Sequence, residues 1–245
     1  MEEFQIFNTI SECCKNLKLS KIIVENSRKI KAETHEEFLL QLLNKEIENR
    51  RKLRVQTLIK QAGFQVLKTL KGYDFSQIKF PATFLEPDIQ TESFITERQN
   101  IIMYGNVGTG KTHLTTALGI EACKNGKRVV FCRTAAIVNQ LSEAKKSGRL
   151  SALLKKLNSA ELLIFDEWGD VPLERKEDQL LFQVIADAYE KQSVIITTNL
   201  EFSKWINIFY DEQMTSAMID RLIHHSHLLI FDGQSYRAKH STMSQ

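Results

Sequence analysis

Gly105-Asn106-Val107-Gly108-Thr109-Gly110-Lys111-Thr112 fits Gly-x-x-x-x-Gly-Lys-Thr, a pattern made to hold phosphate groups. The chemistry dictates the residue types. Glycines at 105, 108 and 110 let the backbone turn tightly and approach an anion with no Cβ in between. The N–H groups along Asn106, Val107 and Thr109 can then face inward as a nest. A helix opening at Lys111, Thr112 and His113 adds unpaired N–H groups and a positive dipole end. Lys111 is expected to reach the β- and γ-phosphates of a nucleoside triphosphate, and the Thr112 hydroxyl to ligate Mg²⁺.

Two further stretches carry suitable chemistry. Leu162-Leu163-Ile164-Phe165 ends in Asp166-Glu167, an apolar strand closing on two acids. Asp166 suits a Mg²⁺ ligand, directly or through water. Glu167 suits a base that polarises an attacking water. A kinase must keep water from the γ-phosphate, so an acid in that place favours hydrolysis. Ser193–Thr198 leads to Asn199, which reads either as a sensor of the γ-phosphate or lytic water, or as a turn-forming residue. Asp220-Arg221-Leu222 falls in a helix before the last strand. Arg221 reads either as a charge-stabilising arginine supplied to another chain or as part of a surface salt bridge. His224, His225 and His227 follow. Adjacent helical histidines point apart and no acid is evident beside them, so no metal site is expected there.

These residues need strands that end in one crevice. From residue 99 the pattern alternates: strands over 100–104, 128–133, 161–165, 193–197 and 228–231, with helices over 111–124, from 135, 150–157, 176–190, 203–208 and 213–225. Alternation of this kind predicts an α/β fold with a parallel sheet, whose ligands sit outside the carboxyl ends of the strands. Upstream, Phe4, Phe7, Ile10, Cys14 and Leu17, then Leu19, Ile22 and Ile23, recur at helical spacing. Thr34 and Glu37 form a capping box before a long helix. Residues 1–66 are therefore expected as a helical N-terminal domain, 67–98 as a connector interrupted by Pro81 and Pro87, and 99–245 as the nucleotide-binding domain. Tyr73 and Phe75 lie just upstream of that domain, placed either near a base or between domains.

The net charge of +3 is unevenly spread. Residues 1–72 hold 14 Lys/Arg against 9 Asp/Glu, leaving 33−14 = 19 basic and 30−9 = 21 acidic residues for the remainder. The long helix turns basic at Lys45, Arg50, Arg51, Lys52, Arg54 and Lys60, as either a solvated face or a contact to a polyanion. The four cysteines lack metal-ligand spacing. An acidic Met1-Glu2-Glu3 start and no span-length apolar run predict a cytoplasmic protein without a membrane partner.

Taken in order, the set resembles the IstB family of insertion-sequence helper ATPases, AAA+ proteins related to DnaC helicase loaders. The resemblance rests on Gly105–Thr112, Ile164–Glu167, Thr198-Asn199-Leu200, Asp220-Arg221-Leu222 with His224-His225, and Gly233-Gln234-Ser235-Tyr236-Arg237. Upstream it includes Glu36-Glu37-Phe38-Leu39, Lys68-Thr69-Leu70 and Asp74-Phe75-Ser76, so it spans nearly the full chain. It implies a bacterial ATPase using ATP and Mg²⁺, with an AAA+ core of sheet order 5-1-4-3-2 behind a small all-helical domain. Arg221 would be an arginine finger acting on a neighbour's ATP, and Arg237 a sensor-type contact to nucleotide. The protein would form a homo-oligomer on duplex DNA and assist a transposase at its target site. The basic helix (Lys45, Arg50, Arg51, Lys52, Arg54) and Lys145, Lys146 and Arg149 would contact DNA. Fourteen residues follow Phe231, too few for the usual AAA+ helical lid; a truncated lid implies sites completed by an adjacent subunit. The alternative within this resemblance is a DnaC-type replicative helicase loader. A small-molecule P-loop kinase is disfavoured by Glu167 and Asn199.

Overall fold

The computed structural model describes residues 2–169, 175–205, 209 and 211–236. The chain divides into two compact units, 1–57 and 58–245.

The first unit holds α1 (Glu2–Asn16), α2 (Lys21–Asn26) and most of α3 (His35–Ala62). Its small core is Cys14, Ile23, Val24 and Leu42. Thr34 caps α3 by accepting from Glu37 N at 3.1 Å, as its spacing predicts. Glu46 is buried, and its carboxylate accepts from Ser20 N (3.1 Å), the Ser20 hydroxyl and Arg50 Nε (2.7 Å). Burial works against that charge, but the bonds from Ser20 and Arg50 outweigh it and hold the carboxyl below its ordinary range. Arg50 also donates from Nη2 to Lys18 O at 2.6 Å, so its guanidinium ties the turn after α1 to α3.

The second unit continues with β1 (Ile78–Lys79), α4 (Glu86–Thr91), α5 (Ser93–Thr96), β2 (Asn100–Gly105), α6 (Lys111–Lys124), β3 (Val129–Arg133), α7 (Thr134–Lys146), α8 (Leu150–Asn158), β4 (Leu162–Asp166), α9 (Arg175–Ala188), β5 (Ser193–Thr198), α10 (Phe202–Trp205), α11 (Glu212–His224) and β6 (Ser226–Phe231). The sheet order is β1-β6-β2-β5-β4-β3. The strands β6-β2-β5-β4-β3 are parallel neighbours, which reproduces 5-1-4-3-2 when counted from β2. The difference is β1, which adds antiparallel to the β6 edge through Ile78↔Phe231 and Lys79↔Ile230. Lys79 also ion-pairs with Asp232. A short, charged edge strand blunts an otherwise open row of backbone groups.

Side-chain alternation along the strands divides the core into two layers. Ile101 and Met103 face one layer with Leu114, Leu118 and Ile164; Ile102 faces the other with Leu163, Phe165, Val184 and Ile196. Both faces are covered, so the strands read as continuous apolar runs. Residues 67–98 are more than a connector. They supply β1, α4 and α5, and Phe84, Ile89 and Phe94 are buried in the same layer as α6. The prolines are accommodated outside regular structure or, for Pro87, in the first turn of α4, where proline lacks only an N–H that would be unpaired anyway.

Candidate ATP-hydrolysing site

The phosphate loop leaves β2 at Gly105 and enters α6 at Lys111. Gly105 is fixed by packing: a Cβ there would lie 2.3 Å from Phe231 O on the paired strand. Gly108 (φ +84°) and Gly110 (φ +98°) take the left-handed conformation that favours glycine. A Cβ on Gly108 would meet Ser235 Oγ at 2.2 Å, and Tyr236 N donates to Gly108 O at 2.9 Å. The segment after β6 therefore lies directly on the loop. On its other side, the Tyr73 hydroxyl donates to Gly110 O at 3.3 Å. Burial pushes the Tyr73 phenol far above its ordinary range, so it stays a donor. The Tyr73 ring packs 5.2 Å from that of His113, whose Nε2 lies 3.1 Å from Thr69 O. Tyr73 thus braces the loop from within its own unit, and Phe75 packs edge-on against it at 4.9 Å.

Lys111 is buried, and its ammonium donates to Gly105 O (2.6 Å) and Asn106 O (2.7 Å). The cation is thus held over the loop that a polyphosphate would occupy. Lys111→Ala is expected to weaken ATP binding by about 100-fold or more, since a desolvated phosphate charge would lose its partner. Equilibrium titration with a fluorescent ATP analogue reads this directly; an unchanged Kd would remove Lys111 from the site.

β4 and β5 end beside this loop. Asp166 is buried at the end of β4 and accepts from Thr112 Oγ1 at 3.0 Å. Residues distant in sequence, Thr112 and Asp166, therefore meet as two hard oxygen donors, the set that suits Mg²⁺. Glu167 follows in a left-handed conformation, φ +59°, a strained choice for a non-glycine residue. It is held there by two backbone bonds: Glu167 N donates to Thr197 Oγ1 (3.0 Å) and Trp168 N to Thr197 O (2.8 Å). The Glu167 carboxylate projects outward to Arg133 Nε at the end of β3, 3.2 Å away.

Thr197 is the residue that sequence reasoning passed over. It is buried in β5, and its hydroxyl donates to Asp166 Oδ1 at 2.5 Å while accepting from Glu167 N. One hydroxyl thereby sets both acids. A threonine within an apolar strand reads as a β-branched strand former; the signal available was a polar atom in a strand buried on both faces. Thr197→Val keeps the shape and removes the hydroxyl. It is expected to lower kcat about 10- to 100-fold by displacing the acids, with ATP affinity retained and Thr197→Ser restoring turnover. Phosphate-release kinetics on the three proteins test this.

Asn199 is exposed just past β5, and among the described residues its side chain has no hydrogen-bond partner. Arg221 lies in α11, donates to Ala217 O at 2.8 Å and stacks its guanidinium 5.2 Å over the Phe182 ring. It is one turn before the start of β6, where Ser226 pairs with Asn100. The phosphate loop leaves the opposite end of β2, beyond Gly105. Five residue steps of strand, roughly 3.3 Å each, separate Arg221's end of the sheet from its own phosphate loop. Arg237 lies outside the described residues. Lys145 and Lys146 are exposed at the end of α7, and Arg149 donates from Nε to Ser147 Oγ in the corner before α8. In the first unit, Lys45, Arg51, Lys52 and Arg54 are exposed along α3, with Lys45 3.8 Å from Glu48.

A family model described as IstB-like ATP binding protein matches residues 14–244. The chain belongs to that family. It is an ATPase of that family. Among relatives, the ATP-binding protein of insertion sequence IS21 from Pseudomonas aeruginosa is 36% identical over 205 residues, covering 84% of this chain and 77% of the relative. The IS5376 counterpart from Geobacillus stearothermophilus is 35% identical over 212 residues, covering 86% and 84%. Solved structures with a similar fold include DnaI (TM-score 0.55, 13% identity, 71% of this chain and 93% of that one). Another is the replication initiator DnaA bound to AMPPCP and single-stranded DNA (TM-score 0.51, 25% identity, 62% and 47%). Among the described residues of this IstB-like chain, no helix is long and apolar enough to cross a membrane.

Proposed function

We propose that this IstB-like chain hydrolyses ATP at sites completed by a neighbouring copy, and that the resulting assembly holds duplex DNA for the transposase of its element. The observation that carries this reading is the placement of Arg221. The loop, Thr112, Asp166, Thr197 and Glu167 converge at one end of the sheet, while Arg221 stands at the other. An arginine that cannot reach its own phosphates is suited to act on those of another chain.

The chain's own groups supply the reaction in this reading. The loop N–H groups and the α6 N-terminus bind the phosphates. Lys111 transfers its donors from Gly105 O and Asn106 O to the β- and γ-phosphate oxygens. Thr112 and Asp166 would hold Mg²⁺, which would neutralise charge on the phosphates. Glu167 takes the proton of a water as its oxygen bonds the γ-phosphorus. The bond from that phosphorus to the β–γ bridging oxygen breaks, and ADP leaves with the electron pair. For Glu167 to do this, its carboxylate must part from Arg133 or move with it. Asn199 would meet the water or γ-phosphate from the β5 end, and Arg237 would contact the nucleotide as a sensor.

The DNA-facing residues in this proposal are Lys45, Arg51, Lys52 and Arg54 on α3, and Lys145, Lys146 and Arg149 at the α7–α8 corner. Arg50 contributes less, because its donors are engaged by Glu46 and Lys18 O. The protein's membership in an insertion-sequence family supports the transposase as partner. The test is DNA binding by anisotropy on a duplex, with and without a non-hydrolysable ATP analogue, across a salt series. Nucleotide-dependent binding that falls steeply with salt is expected. Binding indifferent to nucleotide and salt, or stable capture of a replicative helicase instead of DNA, would overturn the proposal.

A further inference from the structure

We infer that Glu190, His224 and His225 form a binding site for a divalent cation of the zinc class. The sequence pattern speaks against it, because neighbouring residues on a helix diverge by about 100°. The structure removes that objection. α11 ends at His224, and His225 is its C-cap with φ −125° and ψ 48°. This non-helical backbone swings the second imidazole back, so the two ring centroids lie 4.2 Å apart. The missing acid arrives from the turn after α9, where Glu190 has φ +57°.

The ligand atoms of the three residues all lie within 4.8 Å of one another, and His225 Nε2 is 3.8 Å from Glu190 Oε1. Tetrahedral coordination with bonds of about 2.0–2.1 Å asks for roughly 3.3 Å between ligand atoms. Exposed side chains can make that contraction by rotation, and all three are exposed. Two imidazoles and a carboxylate form the mixed nitrogen–oxygen set that suits zinc, with a fourth position left for water.

The surroundings fix this group from the backbone side. Arg98 Nη1 donates to Glu190 O at 2.9 Å, and Asn100 N to His225 O at 2.7 Å. The Tyr189 hydroxyl lies 3.0 Å from His224 Nδ1, the kind of outer contact that orients a ligating imidazole. In the tautomer with the proton on Nδ1, Nε2 keeps its lone pair for a cation. His227, the third histidine of the sequence cluster, is outside the group: it stacks on Phe84 at 4.1 Å and meets Gln99 Oε1 at 2.9 Å. A cation held here would tie the turn after α9 to the end of α11, one turn from Arg221. Binding itself does not depend on the ATPase reading.

The test is titration of the metal-stripped full chain with Zn²⁺ alone, read by competition with a chromophoric chelator, and with Co²⁺, read by visible absorption. One zinc per chain is expected, with a Co²⁺ spectrum of nitrogen–oxygen coordination and no thiolate charge-transfer band. Glu190→Gln and His225→Gln should each abolish stoichiometric binding, and Tyr189→Phe should weaken it about tenfold, with circular dichroism unchanged. Zinc binding that persists in both ligand variants, a thiolate band, or no stoichiometric binding by the wild-type chain would each overturn the assignment.

Discussion

Arg221→Ala is expected to bind ATP as tightly as the wild-type chain and to lose about 10³-fold in assembly-stimulated turnover. The magnitude is that of a charge-stabilising arginine supplied across an interface in phosphoryl transfer. The direction follows from place. Arg221 is held by Ala217 O and the Phe182 ring within its own chain, at the end of the sheet remote from its own loop, so its loss leaves Gly105–Thr112, Asp166 and Thr197 intact. Arg221→Lys should recover little, because an ammonium reproduces neither the planar fork nor the ring stacking of a guanidinium. Single-turnover kinetics on assembled protein, with a separate measurement of ATP affinity, distinguish this from a binding defect. A parallel loss of affinity would mean that Arg221 serves its own site.

Glu167→Gln carries the second large effect. The amide keeps the size of the carboxylate but cannot accept a proton from water, so turnover should fall about 10²- to 10⁴-fold. Binding should persist, because the phosphate cradle is made by the loop and Lys111. ATP-bound protein should therefore accumulate, and with it the assembled form on DNA. Gln at 167 keeps the backbone bonds to Thr197, which separates loss of the base from local collapse. Undiminished phosphate release would show that Glu167 is not the base.

The phosphate loop and the Asp166-Glu167 pair were legible because their chemistry is local: neighbouring residues in sequence make the nest or close one strand. The five-strand parallel order followed from the family resemblance, and the structure has it. Thr197 was not legible, because its role depends on the ends of β4 and β5 converging, and its type is common in any strand. β1 and α4–α5 were missed for a different reason. They are too short to show periodicity, and buried Phe84, Ile89 and Phe94 gain their meaning only against α6. The basic helix was legible as charge, but not the burial of Glu46 that recruits Arg50 into the fold. The approach of the two histidine rings was not legible, because the periodicity carries the helix one residue further, to His225. Once α11 stops at His224, the two rings converge, and Glu190 joins them from a separate helix end.

A site shared between chains predicts that two differently disabled variants complement each other. Lys111→Ala retains Arg221 but should bind ATP about 100-fold more weakly or worse; Arg221→Ala should bind ATP but offers no arginine. The deciding measurement is phosphate release from these two variants on duplex DNA, assayed alone and mixed. Each should be nearly inactive alone, and the mixture should recover a substantial share of wild-type turnover as intact loops meet intact arginines. A mixture no more active than the sum of its parts would contradict the shared site.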